Sequence, residues 1–326
     1  MSDNKTSATK NPESAIGKPS KGMSQVGRHI LVHAVLIFFT FLCLFWFYVL
    51  FVNATRSHAE LNRGFTPFFS KYGLMNAFNL VVPNSTVTLD SFKDSTFWKY
   101  VFSADFLVSC WRSNIVRGMF NSAVIAGASS LLCVYFSTMT AYAIHAYDFK
   151  FKKAAFMFIL AIMMLPTQIS ALGFIRLVRT MKLMDNYIPL IVPAIAAPVT
   201  FFYLKQFMDS SLPHELLESA RIDGAGEFRI FNTIALPLMK PAMSVQIIFS
   251  FVGSWNNYFT PNLILEDQKL KTLPIMIAQL RTADYLKFDM GKVNMMIALS
   301  ILPVMIVYVF LARYIVGGMT VGAVKG

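Results

Sequence analysis

With 326 residues, of which 56% are hydrophobic, 14% aromatic and only 14% charged, the chain is too apolar for an ordinary soluble domain, in which about a quarter of residues are charged. The formal net charge of +12 comes from Lys and Arg scattered between apolar runs, with no basic stripe; this argues against nucleic acid and leaves anionic lipid headgroups as the simpler partner. Cys43, Cys110 and Cys133 do not make a disulfide framework and read as small apolar fillers, and no His, Cys or carboxylate cluster has metal-ligand spacing.

In chain order, residues 1–28 are polar and rich in Ser, Lys, Asn and Gly, the composition of a disordered tail. Ile30 to Thr55 carries no Asp, Glu, Lys or Arg and is longer than the apolar core of a cleaved leader, so it reads as a retained first span. Residues 56–117 follow as an aromatic-rich loop region, long enough for a small extracellular cap. Five further charge-free runs each reach the length needed to cross hydrocarbon: Gly118–Ile144, Ala154–Ile175, Asn186–Leu204, Pro241–Leu265 and Val293–Ala312. The expected fold is therefore an all-α integral membrane protein with six transmembrane helices and both termini on one side. Residues 29–117 hold the first helix and the loop region, and residues 118–326 form a core of five more helices.

Prolines mark two of these runs: Pro166 in one, and Pro189, Pro193 and Pro198 in another. They fit either kinked helix packing or a transport pathway, with packing the simpler account. Trp255, Asn256, Asn257 and Tyr258 place two amides and two aromatics in the middle third of an apolar run, where lipid cannot satisfy them. Aromatic rings stack on sugars and amides bond hydroxyls, so these four are candidate pathway residues; polar glue between helices is the equal alternative.

The long polar interruption of the second half lies within 208–237. Pro213 at a helix start, Glu215 in the first turn and Gly224 after the last periodic residue predict one short helix. A second is expected over Glu227–Leu236. Leu216, Leu217 and Ala220 fall on one side of the first, and Ala220 is small enough for another backbone to approach closely. The arrangement predicts a docking knob.

The order Glu218-Ser219-Ala220, Asp223-Gly224-Ala225, Phe228 and Ile234-Ala-Leu236-Pro237 resembles the EAA loop of permease subunits of ATP-binding-cassette (ABC) importers. Ser219 stands where that family usually has Ala, another small residue. Asn121-Ser122, Ala141-Tyr142-Ala143, Leu165-Pro166, Gly253-Ser-Trp255-Asn256, Thr272-Leu-Pro274 and the Gly-rich tail from Arg313 to Gly326 extend the likeness. They point to the carbohydrate branch, specifically the smaller membrane subunit of maltose-type transporters. The resemblance implies a type I importer permease in a bacterial plasma membrane, with both termini and the coupling loop cytoplasmic. It implies a second permease, two ATPase subunits that bind ATP and Mg, an extracellular solute-binding protein and a sugar substrate. It implies no catalytic residue, cofactor or metal in this chain. Glu218 becomes the charged contact to the ATPase, Ala220 and Gly224 its close-approach points, Asp223 the polar end of the knob, and Ser219 and Ala225 their neighbours.

The alternative is an ion-coupled secondary transporter. It needs ionisable groups within its spans, and none of the six runs contains Asp or Glu.

Overall fold

The computed structural model describes residues 25–82, 87–165, 167–282 and 289–323, so the tail expected to be disordered lies outside the described residues up to position 24. All the regular structure among the described residues is helical. Helix α1, Gln25–Thr55, starts four residues inside the expected tail. The chain divides into two compact units, residues 1–49 and 50–326. The described part of the first is the body of α1, a single apolar helix without a core of its own.

In the second unit, short helices over His58–Asn62, Gly73–Val81, Ser95–Val101 and Ala104–Arg112 build the loop region. Phe78, Phe92, Phe97 and Phe106 hold it together, with Phe78 5.4–5.9 Å from each of the other three ring centroids. Helix α2, Asn114–Ala146, follows and is the helix around which the rest packs. Its buried face carries Gly118, Ser122, Ala126, Ser129, Cys133, Ser137 and Ala141. Spacings of three and four place these small residues on one stripe, which lets neighbouring helix backbones come close. At Gly118 the approach is tightest, because a Cβ there would run into the Met276 side chain.

The expected span Ala154–Ile175 is not one helix. Helix α3 runs Lys152–Ile162 and α4 Thr167–Thr180, with a turn between them. Pro166, itself outside the described residues, has no N–H to give the Ile162 carbonyl, and the α3 helix ends at that residue. Among the described residues, five helices are long and apolar enough to cross a membrane: His29–Thr55, Asn114–Ala146, Ile188–Ser211, Glu227–Trp255 and Met290–Tyr314.

The span Ile188–Ser211 is itself interrupted. Pro189 and Pro193 sit at the starts of a short α-turn and a 3-10 turn, and Pro198 opens the regular helix α5, Pro198–Ser211. After α5 comes helix α6, His214–Ile222, and then α7, Glu227–Trp255. The separate helix expected over Glu227–Leu236 does not end. A π turn at Phe231–Ala235, in which the Leu236 N–H reaches back to the Phe231 carbonyl, carries it past Pro237 into the span. The interruption between the two long helices is thus shorter than 208–237: α5 runs through Ser211 and α7 starts at Glu227. Helix α8, Phe259–Ile264, α9, Leu273–Arg281, and α10, Met290–Ala323, complete the described chain.

Two apolar clusters share α2. One gathers Val134, Ala141, Tyr142 and Ile144 with Leu204, Met208, Leu217, Ala220, Ile230 and Met239. The other gathers Ala126 with Ala54, Phe251, Trp255, Leu273, Met276 and Met296. At its start α2 is also pinned by polar bonds. Asn121 Nδ2 donates to the carbonyls of Lys269 and Lys271, at 2.9 and 3.1 Å, and the Leu273 N–H donates to Ser122 Oγ at 2.9 Å. Asn121-Ser122 and Thr272-Leu-Pro274, separate pieces in the sequence, are one joint in the fold.

Candidate functional site

Helix α6 is short, and its ends are where the local sequence acts. Pro213, in extended conformation at φ −65° and ψ 141°, stands just before it, and Glu215 lies in its first turn. At the far end Gly224 adopts φ +78°; its N–H donates to the Arg221 carbonyl and the Ala225 N–H to the Ala220 carbonyl, each at 3.0 Å. This left-handed glycine cap satisfies two carbonyls that the helix would otherwise leave open. Glycine takes that backbone without strain, as the residue order implied.

The helix has two distinct faces. Leu217 is 1% exposed and Ala220 7%, both inside the cluster with Tyr142, Leu204 and Ile230. Glu215, Glu218, Ser219 and Ile222 are on the other side and exposed, as are Asp223 and Gly224, while Ala225 is half-buried. The Ala220 methyl packs in the chain's own core, where a small residue lets α6 sit against α2 and α7. The available apolar surface is Ile222, 86% exposed, and Phe228, 71% exposed, on either side of Gly224. Leu216 is 40% exposed, at the margin between the faces.

Both ends of α6 are tied to the last turn of α2. Ahead of α6, His145 Nε2 donates to the Leu212 carbonyl at 3.0 Å, while its Nδ1 lies 2.8 Å from Asp209, which Lys205 also engages at 2.6 Å. The His145 ring stacks on that of His214, the first residue of α6, with centroids 4.3 Å apart. Beyond α6, Arg221 Nε donates to Glu227 at 2.7 Å and an Arg221 Nη to the Ala146 carbonyl at 3.3 Å. The Tyr142 hydroxyl donates to the same Glu227 carboxylate at 3.0 Å. The Arg221 guanidinium also lies over the Tyr147 ring, 5.5 Å from its centroid. Burial, together with the Glu227 carboxylate, raises the Tyr147 hydroxyl above the usual phenol range, and the bond to Glu227 holds Arg221 more firmly protonated. None of these roles was read from the sequence, where Glu227 counted only as a helix start. A cation and a carboxylate on either side of Gly224 were the available sign of a closed loop.

The second constellation is a cavity of about 930 Å³. Ser129 and Cys133 of α2 line it, with Pro189, Leu190, Pro193 and Ala197 from the interrupted span, Thr200 of α5, Ser250 and Ser254 of α7, and Asn257, Phe259 and Thr260. Cys133 Sγ lies 3.4 Å from the Thr200 hydroxyl and 3.3 Å from that of Ser250, so this thiol is part of a polar wall as well as a filler. The interrupted proline segment thus lines the cavity, the setting in which irregular backbone is tolerated at membrane depth.

The four amide and aromatic candidates do not lie mid-helix. Helix α7 ends at Trp255, where the Asn256 and Asn257 N–H groups donate to the Val252 and Ser254 carbonyls, and the chain restarts as α8 with Pro261 in its first turn. Asn257 reaches the large cavity. Trp255, Asn256 and Tyr258 border a separate one of about 350 Å³ with Pro274, Arg281 and Ser300. Trp255 is 2% exposed and stacks on Phe251 at 5.8 Å, so most of its surface is core.

Residues 134–321 match the family model described as binding-protein-dependent transport system inner membrane component. The chain is 38% identical over 213 residues to the arabinooligosaccharides transport system permease protein AraQ of Bacillus subtilis (strain 168), covering 64% of this chain and 74% of that protein. With AraQ of Halalkalibacterium halodurans the identity is 36% over 253 residues, covering 78% and 85%. The melibiose/raffinose/stachyose import permease protein MelC of Bacillus subtilis is 32% identical, covering 70% and 84%. Among solved structures, a chain of a bacterial ABC transporter involved in the import of the acidic polysaccharide alginate superposes with a TM-score of 0.67 at 19% identity, covering 90% of this chain and 99% of that one, a likeness of fold. The chain belongs to the inner membrane components of binding-protein-dependent transport systems: it is a multi-pass permease subunit of an ABC importer, without catalysis of its own.

Proposed function

We propose that this permease forms half of the membrane path for an uncharged oligosaccharide, with the 930 Å³ cavity on that path and the exposed face of α6 as the seat of an ATPase. The observation that carries the reading is the division of α6 into a face buried in its own core and a free face bearing Glu218, Ser219 and Ile222, with Asp223 and Gly224 at its end. Such a helix moves with whatever grips its free side. The cavity wall supports the choice of substrate: the described side chains that line it supply hydroxyls, a thiol and an amide but no Lys, Arg, Asp or Glu. That chemistry suits sugar hydroxyls and offers a phosphate ester or a uronic acid no counter-charge.

In this reading α3 and α4 together make the sixth crossing, both termini and α6 are cytoplasmic, and residues 56–117 face outward. The second permease is a different chain, so that the membrane path is a heterodimer. Two ATPase subunits hold ATP and Mg, and a solute-binding protein delivers the sugar from outside. Membership of the family removes the ion-coupled alternative.

The test is ATP-dependent uptake in vesicles holding this chain with its partner permease, ATPase and binding protein. Neutral oligosaccharide should accumulate and glycerol 3-phosphate should not; uptake of the phosphate ester alone would overturn the substrate class. In the same vesicles Asn257→Leu is expected to lower uptake several-fold with normal recovery of the complex. Trp255→Ala is expected to reduce recovery itself, because emptying a buried Trp site costs about 3–5 kcal/mol. Loss of recovery in both would return the amide to packing.

Orientation has its own measurement. In a variant lacking Cys43, Cys110 and Cys133, a cysteine replacing Lys93, whose side chain is 82% exposed, should react with an impermeant thiol reagent on intact cells. A cysteine replacing the exposed Asp223 should react only after the cells are opened. The reverse pattern would place α6 outside and remove the ATPase seat.

A further inference from the structure

We infer that α2 is the element that receives the movement of the coupling helix, through a bracket of Arg221, Glu227 and Tyr142 at one end of α6 and His145 at the other. The inference rests on the proposed seating of an ATPase on α6 and adds where the motion goes next. A helix held at one end can pivot about that end. Here the two ends are fastened separately, and to the same two turns of one neighbour: Leu212 and His214 to His145, and Arg221 and Glu227 to Ala146 and Tyr142.

The fastening at the far end is built for stiffness. Arg221 gives two bonds to the Glu227 carboxylate and another to a main-chain carbonyl, so its planar guanidinium is fixed in orientation as well as position. Glu227 accepts from Tyr142 as well as from Arg221, and it begins the long helix α7. A pull on the exposed face of α6 therefore acts on α2 and α7 together. Both helices reach the cavity, α2 through Ser129 and Cys133 and α7 through Ser250 and Ser254. Along α2, Cys133 and Ser129 lie about 14 to 20 Å from Tyr142 at the rise of an α-helix. A continuous helix of that length transmits displacement as a rod, without a chain of intermediate side-chain changes.

Arg221, Glu227, Tyr142 and His145 are positioning residues: they act through their bonds within the permease, and Tyr142 and His145 are buried there. Their loss should separate docking from transmission. In the reconstituted complex, Arg221→Gln and Glu227→Gln are each expected to lower binding-protein-stimulated ATP hydrolysis and sugar uptake at least tenfold, with ATPase recovery within twofold of wild type. Tyr142→Phe, which removes one hydroxyl and almost no volume, should lower both about threefold and serves as the probe if a charge variant does not fold. The exchanged pair, Arg221→Glu with Glu227→Arg, should recover at least threefold over either single variant, because opposite charges again close the loop. A purely structural role would lower recovery of the complex and leave the ratio of stimulated to unstimulated hydrolysis per ATPase unchanged.

Single variants that keep stimulation within twofold of wild type, or that lose ATPase recovery in parallel with uptake, would overturn the lever while leaving the importer reading in place. A wild-type complex with no binding-protein-stimulated hydrolysis would overturn that reading and the lever together.

Discussion

Glu218→Lys is expected to leave the permease inserted and folded but to abolish sugar uptake. The carboxylate is on the free face of α6 and exposed, so reversing its charge costs the isolated chain little. The cost falls where a cation of the ATPase would meet it: truncating one member of a buried, hydrogen-bonded charge pair costs about 2–5 kcal/mol, and a reversed charge at least that. At 1.4 kcal/mol per factor of ten, assembly would weaken by about thirtyfold to several thousandfold. Gly224→Val should reach the same end differently. A Cβ at this glycine would meet no atom within 4 Å beyond its chain neighbours, so the strain is that of a β-branched residue at φ +78° and not a collision. The cap bonds from Gly224 and Ala225 would open and the turn carrying Ile222 and Phe228 would lose its shape. The measurements are co-purification of the ATPase and binding-protein-stimulated hydrolysis in vesicles. If both variants keep normal recovery, stimulation and uptake, α6 is a connector and the central proposal fails.

Leu217→Ala and Ile222→Ser, five residues apart on one short helix, should have opposite phenotypes. Leu217 is 1% exposed within the cluster around Tyr142 and Leu204, so truncating it removes buried surface and leaves a cavity, a loss of about 2–5 kcal/mol. The permease alone should unfold at lower temperature in detergent, and its yield should fall. Ile222 is 86% exposed, and its replacement should change the stability of the isolated chain by no more than about 0.5 kcal/mol. Its effect should appear on assembly, where full burial of an aliphatic side chain contributes about 1.5–3 kcal/mol, or at least tenfold in affinity. Ile222→Ser that destabilises the lone permease, or Leu217→Ala that weakens only ATPase recovery, would show that the two faces of α6 are assigned the wrong way round.

The polar start at Pro213 and the stop at Gly224 were legible because each is a local backbone requirement, carried by one residue and its immediate neighbours. The same locality misled where it was applied to direction. The spacing of Leu216, Leu217 and Ala220 correctly made one side of α6 apolar, yet an apolar side does not state whether its partner is the ATPase or the chain's own α2. The run Pro241–Leu265 was charge-free throughout, so its composition concealed the break between Trp255 and Phe259, and the amides seemed to lie mid-span when they lie at a helix end. Pro189 and Pro193, for which kinked packing was the simpler account, border the large cavity.

By itself the sequence determined the class of protein, the order of its apolar runs, the short helix between Pro213 and Gly224 and the family, because composition, helix length and short-range spacing are properties of neighbouring residues. Only the tertiary structure decided which face of α6 is free, that the third run breaks into α3 and α4, that Asn257 parts from Trp255, and that Arg221, Glu227 and Tyr142 form one bracket. The bonds of that bracket join residues 75 and 85 positions apart, from Arg221 to Ala146 and from Tyr142 to Glu227. No local pattern encodes such a pairing: it exists because the small residues of α2 let α5, α6 and α7 pack closely enough for polar groups at the helix ends to meet.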